Sequence, residues 1–220
     1  MVLPSRPALS SRAPRPHGRR SGGGGDTTDL REAILAAMDG LLADRQFGEL
    51  AVSDILTAAG VSRGSFYFYF ASKHDVLAEL VRRAVARGHH AAAPWLAGPG
   101  GPADPAAALR TGITAGAELW RQSAPVLRAI VENWRTDPRL EALWTGQMQT
   151  FTDATVAQIN ADPGALRRLA GQDIPALASA LTWLGERLYY LAATGTPPFD
   201  DQDTLVSTLL RIWTATLYEP

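Results

Sequence analysis

The chain has 220 residues, 46% of them hydrophobic, a formal net charge of −1 and no cysteine. That length and apolar content suit one compact domain, or a small domain joined to a larger one. The missing cysteines exclude disulfides, thiolate metal ligands and a thiol nucleophile.

The histidines are His17, His74, His89 and His90. None pairs with another at the i, i+4 spacing of a helical metal site, so neither a metal nor another cofactor is expected. The net charge alone does not suggest a nucleic-acid binder, but its distribution does. Residues 1–25 carry Arg6, Arg12, Arg15, Arg19 and Arg20 and no acid, while residues 26–83 and 84–220 are each net −3. The positive charge therefore sits at the N-terminus, where it can reach a polyanion. The N-terminal arginines are not followed by an apolar secretory core, and no apolar run is long enough for a bilayer. A cytoplasmic protein with no membrane partner is expected.

Residues 1–26 are rich in Pro, Ser, Arg and Gly and read as a disordered Arg-rich arm. The rest has helical periodicity, so the expected fold is all-α. A first helix is predicted from Asp29, with Glu32 at capping-box spacing and a stripe of Leu30, Ile34, Ala37, Met38, Leu41 and Leu42. A short helix over 52–59 follows, with Val52, Ile55, Leu56 and Ala59 inward. Gly60 stands where a tight helix–helix turn needs positive φ. Ser62 caps a helix over 63–70. Ser72 and Asp75 then box the start of a long helix with the stripe Val76, Leu77, Leu80, Val81, Ala84 and Val85.

Pro94, Pro99, Pro102 and Pro105, with three glycines, break the chain at 94–105. Helices are predicted at 106–122, 125–133, 139–161, 173–195 and 201–217. Asp137-Pro138, Asp162-Pro163-Gly164 and Thr196-Pro197-Pro198 punctuate them. The expected domains are the arm at 1–26, a helix-turn-helix domain at 27–90 and a larger helical domain at 91–220.

Two short helices joined through Gly60 form a helix-turn-helix pattern. The second would enter a DNA major groove. Phe66 and Phe70, four apart, face inward. Arg63, Ser65, Tyr67 and Tyr69 are left for the outside. Arg63 can pair with guanine O6 and N7. The hydroxyls of Ser65, Tyr67 and Tyr69 can donate to phosphates, Lys73 adds a charge, and Gly64 lets the helix start approach the groove wall. The competing reading is an amphipathic hairpin inside a helical bundle. Five successive aromatics cannot all be buried on one short helix, and a Ser-Arg-Gly entry is poor packing material.

The first-helix stripe, Phe47, Ile55, Ala59-Gly60-Val61-Ser62, the aromatics at 66–70 and Ser72-Lys73 with Leu77 resemble the DNA-binding domain of the TetR family of bacterial repressors. By position, the resemblance implies that Arg63 faces bases and that Ser65, Tyr67, Tyr69 and Lys73 face the backbone. It adds Ser53 on the preceding helix. The resemblance continues into one branch of the family through Arg110-Thr111-Gly112-Ile113, Leu143-Trp144, Glu186-Arg187, Asp203-Thr204-Leu205 and Ile212-Trp213.

All six tryptophans lie at or after residue 95. Large rings fill helical cores, but as a set they also suit the walls of an apolar ligand pocket. The resemblance implies pocket positions at Trp120, Trp144, Met148, Phe151, Thr155, Thr182, Gly185, Tyr190 and Trp213. Gly116 stands where a relative has a large aromatic ring, and Thr182 and Gly185 replace amides. The implied effector is a small hydrophobic molecule of elongated or aromatic shape. Leu177, Leu181, Leu184, Leu188, Leu191, Leu205, Leu209, Ile212 and Trp213 exceed one inward stripe on the last two helices. The resemblance implies that they pair in a homodimer.

The leading expectation is a ligand-responsive repressor on palindromic double-stranded operator DNA. The alternative is an all-helical enzyme acting on an apolar substrate, with Glu118, Glu132 and Glu186 as candidate groups.

Overall fold

The computed structural model describes residues 25–96 and 105–218, with side chains over 29–87 and 107–218. The Arg-rich arm and His17, most of the proline break, and the side chains of His89, His90 and Trp95 lie outside these residues. The described chain is all-α, with ten α-helices, two short 3-10 turns and no strand.

Helix α1 spans Gly25–Asp44. It is already helical at Asp29, so Asp29 is not its cap. Glu32 does not reach back either: it accepts two hydrogen bonds from Arg83, at 2.6 and 2.8 Å. A 3-10 turn at Phe47–Glu49 leads to α2, Val52–Ala59. The Asp54 carboxylate accepts from the Ala51 N–H at 2.9 Å, satisfying a first-turn donor. Helix α3 spans Arg63–Tyr69 and α4 spans Lys73–Leu96. As expected, Ser72 and Asp75 bond across the start of α4.

Helices α5 (Pro105–Gln122), α6 (Ala124–Asn133) and α7 (Pro138–Ala161) follow. A six-residue helix α8, Pro163–Arg168, appears where the sequence reads as punctuation. Its Asp162 cap accepts from Gly164 and Ala165 N–H, and Pro163 occupies the first helical position. Helices α9 (Ile174–Ala193) and α10 (Gln202–Leu217) complete the described chain.

Two apolar clusters hold these helices. The first starts with Ile34, Met38, Phe47, Ile55 and Phe66. It continues through Leu77, Val81 and Val85 of α4 into Leu127, Ile130, Leu140 and Trp144. It therefore carries packing from the N-terminal helices into the second domain. The second cluster joins α5, α8, α9 and α10 around Leu109, Leu181, Leu188, Leu205 and Leu209. On the last two helices the expected surplus divides. Leu181, Leu188, Leu205, Leu209 and Trp213 are buried, while Leu177, Leu184, Leu191 and Ile212 are half-exposed. Among the described residues no helix is long and apolar enough to cross a membrane.

Candidate nucleic-acid interface and ligand cavity

Gly60 ends α2 at φ 65°, ψ 30°, a conformation without penalty for glycine. Ser62 caps α3 by accepting from the Ser65 N–H at 3.0 Å, and its hydroxyl lies 2.9 Å from that of Ser65. Phe66 and Phe70 point inward, with relative exposures of 0% and 5%. They fix the helix against α1, where the Arg31 guanidinium covers the Phe70 ring at 5.5 Å. The face left outside carries Arg63 and Gly64, both exposed, with Tyr67 at 48% and Phe68 at 77%. Ser53 is exposed on α2. The Arg63 side chain makes no hydrogen bond or ion pair with any described residue, so its fork of donors is open to a partner.

Three expectations for this face change. Ser65 and Tyr69 are half-buried, and the Phe68 ring meets the Tyr69 ring edge-on at 4.9 Å. Phe68, which sequence reasoning leaves without a role, is the most exposed large apolar side chain among the described residues. Lys73 is turned inward instead of toward a phosphate. Its Nζ donates to the carbonyls of Phe47 at 2.9 Å and Leu50 at 2.6 Å, with Gly48 at 3.4 Å, and lies 4.6 Å from the Phe47 ring centroid. Burial holds this ammonium below its ordinary pKa, and Asp54 opposes that only in part.

A cavity of about 160 Å³ lies between the helices of the second domain. Trp120, Trp144, Met148, Phe151, Thr155, Thr182, Gly185 and Trp213, all expected there, line it. Val85 brings α4 to the wall, and Gln147 and Glu186, not singled out for the pocket, also line it. Tyr190 does not. It faces outward, donates its hydroxyl to Glu132 Oε1 at 3.1 Å and stacks under the Arg187 guanidinium at 5.1 Å. Tyr189 takes the inward place. Consecutive residues on a helix are about 100° apart, so only one of the two can face the cavity.

Tyr189 fills the space that Gly116 leaves open. A Cβ at Gly116 would lie 2.7 Å from the Tyr189 hydroxyl oxygen. That hydroxyl donates to the Ile113 carbonyl at 2.9 Å, and the ring stacks on Trp120 at 6.3 Å. Burial raises the phenol pKa, so it stays protonated at neutral pH.

The candidate carboxylates separate. Glu118 is bonded to Arg121 and Gln122, which lower its pKa, and Glu132 is exposed. Neither lines the cavity. Glu186 does. It is 7% exposed, and burial raises its pKa against a weaker effect of Arg187.

Residues 34–80 match the family model described as "Bacterial regulatory proteins, tetR family". Residues 109–219 match "Transcriptional regulator EthR, C-terminal domain". The chain is similar to the HTH-type transcriptional regulator EthR of Mycolicibacterium smegmatis, with 35% identity over 215 residues, covering 95% of each protein. It is also similar to the EthR of Mycobacterium tuberculosis, with 34% identity over 214 residues, covering 96% of this chain and 97% of the relative. Among solved structures, a TetR-family transcriptional regulator from Syntrophomonas wolfei aligns over 86% of this chain and 94% of its own, with TM-score 0.67 at 12% identity. That likeness concerns the fold. With a helix-turn-helix head, an EthR-type helical domain and relatives above 30% identity over nearly the whole chain, the protein belongs to the TetR family of bacterial transcriptional regulators.

Proposed function

We propose that the chain is a ligand-responsive repressor. In this reading it binds palindromic operator DNA as a homodimer and is released when a small hydrophobic effector occupies the cavity. One observation carries this reading. Helix α4 begins at the exit of α3, where Ser72 caps it and Lys73 ties it to the turn before α2, and Val85 of the same helix lines the cavity. Val85 lies twelve positions after Lys73, about 18 Å along a rigid element. A ligand that shifts the Val85 end shifts the reading head at the other. Ligand and DNA then oppose each other through their differential affinity for two states.

The half-exposed Leu177, Leu184, Leu191 and Ile212 of α9 and α10 support an isologous pairing of two chains. Two reading heads then meet successive major grooves at multiples of ~34 Å. On each head Arg63 is the candidate base contact. Tyr67, with the exposed Ser53 and Gly64, meets the backbone, and the half-buried Ser65 and Tyr69 add hydroxyls. The arginine arm supplies long-range attraction that the net-acidic folded part lacks.

The decisive experiment measures binding to the intergenic DNA beside the gene. Arg63→Ala combined with Tyr67→Phe should lower operator affinity at least about tenfold while the dimer mass stays unchanged. Unaltered affinity would remove α3 as the reading head. Deleting residues 1–25 should flatten the dependence of binding on salt.

A further inference from the structure

The cavity wall is almost entirely occupied with its own hydrogen bonds. Thr155 Oγ1 donates to the Phe151 carbonyl at 3.0 Å, Thr182 Oγ1 to Ala178 at 2.9 Å, and the Tyr189 hydroxyl to Ile113. Glu186 differs. Its carboxyl makes no hydrogen bond or ion pair with any described residue, although the residue is more than nine-tenths buried. Arg187, next along α9, does not pair with it and instead covers Tyr190 on the outer face. No Lys, Arg or His is among the lining residues. A buried acid with no partner on the protein is costly, and the cost falls when a partner is supplied from elsewhere.

Two further features bear on what that partner is. The cavity presents the rings of Trp120, Trp144 and Tyr189, whose faces attract cations. Its volume is about that of cavities that hold a single arene.

We propose that the effector carries a cationic nitrogen, a protonated or quaternised amine on an apolar body the size of an arene, and that Glu186 is its counter-charge inside the cavity. The inference rests on the ligand-responsive reading above and adds the charge of the ligand to it. The aromatic walls hold the apolar body and the outer face of the cation, while the carboxylate fixes the charged end.

Three probes of nearly equal shape test this on the full chain by titration calorimetry at neutral pH: benzylammonium, benzyl alcohol and ethylbenzene. Benzylammonium should bind about tenfold more tightly than either neutral probe. Glu186→Gln, isosteric with the wild type, should erase that preference and leave ethylbenzene binding as it was. If ethylbenzene or benzyl alcohol binds as tightly as benzylammonium to the wild type, the cationic assignment is overturned and the ligand cavity stands. A preference that persists in Glu186→Gln also overturns it, because the charge is then read elsewhere. If none of the probes binds, the ligand-pocket reading falls and the assignment falls with it.

Discussion

Arg139, in the first turn of α7, donates from Nη1 to Asp75 Oδ1 at 2.7 Å and from Nη2 to Ser72 Oγ at 3.2 Å. Asp75 and Ser72 are the two members of the cap that starts α4, directly after the recognition helix. The other end of this contact belongs to the helix that brings Trp144, Met148 and Phe151 to the cavity. One side chain thus ties the cavity wall to the exit of the reading head. The Arg139 side chain is 54% exposed, so solvent screens the pair and it contributes little stability. Its value lies in geometry. Arg139→Gln should leave the unfolding midpoint nearly unchanged and shrink the loss of operator affinity that a saturating cavity ligand causes. Operator titrations with and without ligand measure this, and an undiminished ligand response would show that α4 alone carries the signal.

Lys73 makes a different kind of link. Its ammonium gathers carbonyls from the turn that precedes α2 and ties that turn to the start of α4. Hydrogen bonds to a charged group contribute about 1.5–3 kcal/mol when partly buried. Lys73→Met should therefore destabilise the chain by about 1–2 kcal/mol in urea denaturation. The salt dependence of DNA binding should keep its slope, because no phosphate contact is lost. A slope reduced by one unit, with full stability, would return Lys73 to the DNA surface.

The helix-turn-helix was legible because its signals are local. The φ demanded at Gly60, the caps at Ser62 and Ser72 and the four-residue spacing of Phe66 and Phe70 depend on near neighbours alone. Lys73 was not legible. A lone lysine beside an aromatic helix reads as a phosphate contact, and the carbonyls that capture it lie 23 and 26 residues upstream. Helix α8 is hidden in the sequence because Asp-Pro-Gly reads as a stop. The same three residues also supply a cap, an N-terminal proline and the first turn. Of the nine positions that the family resemblance implies, eight line the cavity, while Tyr189 takes the place expected of Tyr190. Adjacent tyrosines share every compositional signal, and only packing against Gly116 decides which one turns inward. In the sequence Glu186 stands next to Arg187, and adjacency does not say which of the two turns inward. Their roughly 100° separation around α9 sends one into the cavity and the other to the surface.

Gly116 and Tyr189 form a size-matched pair, so they should not vary independently. Gly116→Ala places a methyl group against the Tyr189 hydroxyl and Cζ, at 2.7 and 2.9 Å. The ring must move and release the Ile113 carbonyl. Overpacking of this kind costs about 1–3 kcal/mol, which exceeds the gain of up to about 1 kcal/mol from replacing glycine in a helix. Gly116→Ala should thus lower stability, whereas Gly116→Ala combined with Tyr189→Leu should restore part of it. Thermal melts of the two single variants and the double variant give the coupling directly. Strict additivity would mean that the ring swings aside without resistance.

Glu186 gives the cavity a pH signature. Burial raises its native pKa above the ordinary glutamate value. Below that ordinary value the carboxyl is protonated in both folded and unfolded chains and contributes no pH dependence. As pH rises, the unfolded carboxyl ionises first while the native one keeps its proton. The native state then binds more protons, and stability falls until the native carboxyl ionises as well. Asp137, whose carboxylate Arg139 holds low, acts in the opposite sense, with stability present above its unfolded pKa and lost as pH falls through its native one. That contribution is common to wild type and variant and cancels in the difference. Glu186→Gln should therefore gain stability relative to wild type as pH rises from the ordinary glutamate range through the raised native pKa, then level off. Urea denaturation of both proteins across that range measures the difference, and a flat one would mean that the Glu186 carboxyl is solvated. A cationic probe at saturation should shrink the same difference, because it favours the ionised carboxylate in the folded chain and so moves the native pKa back down.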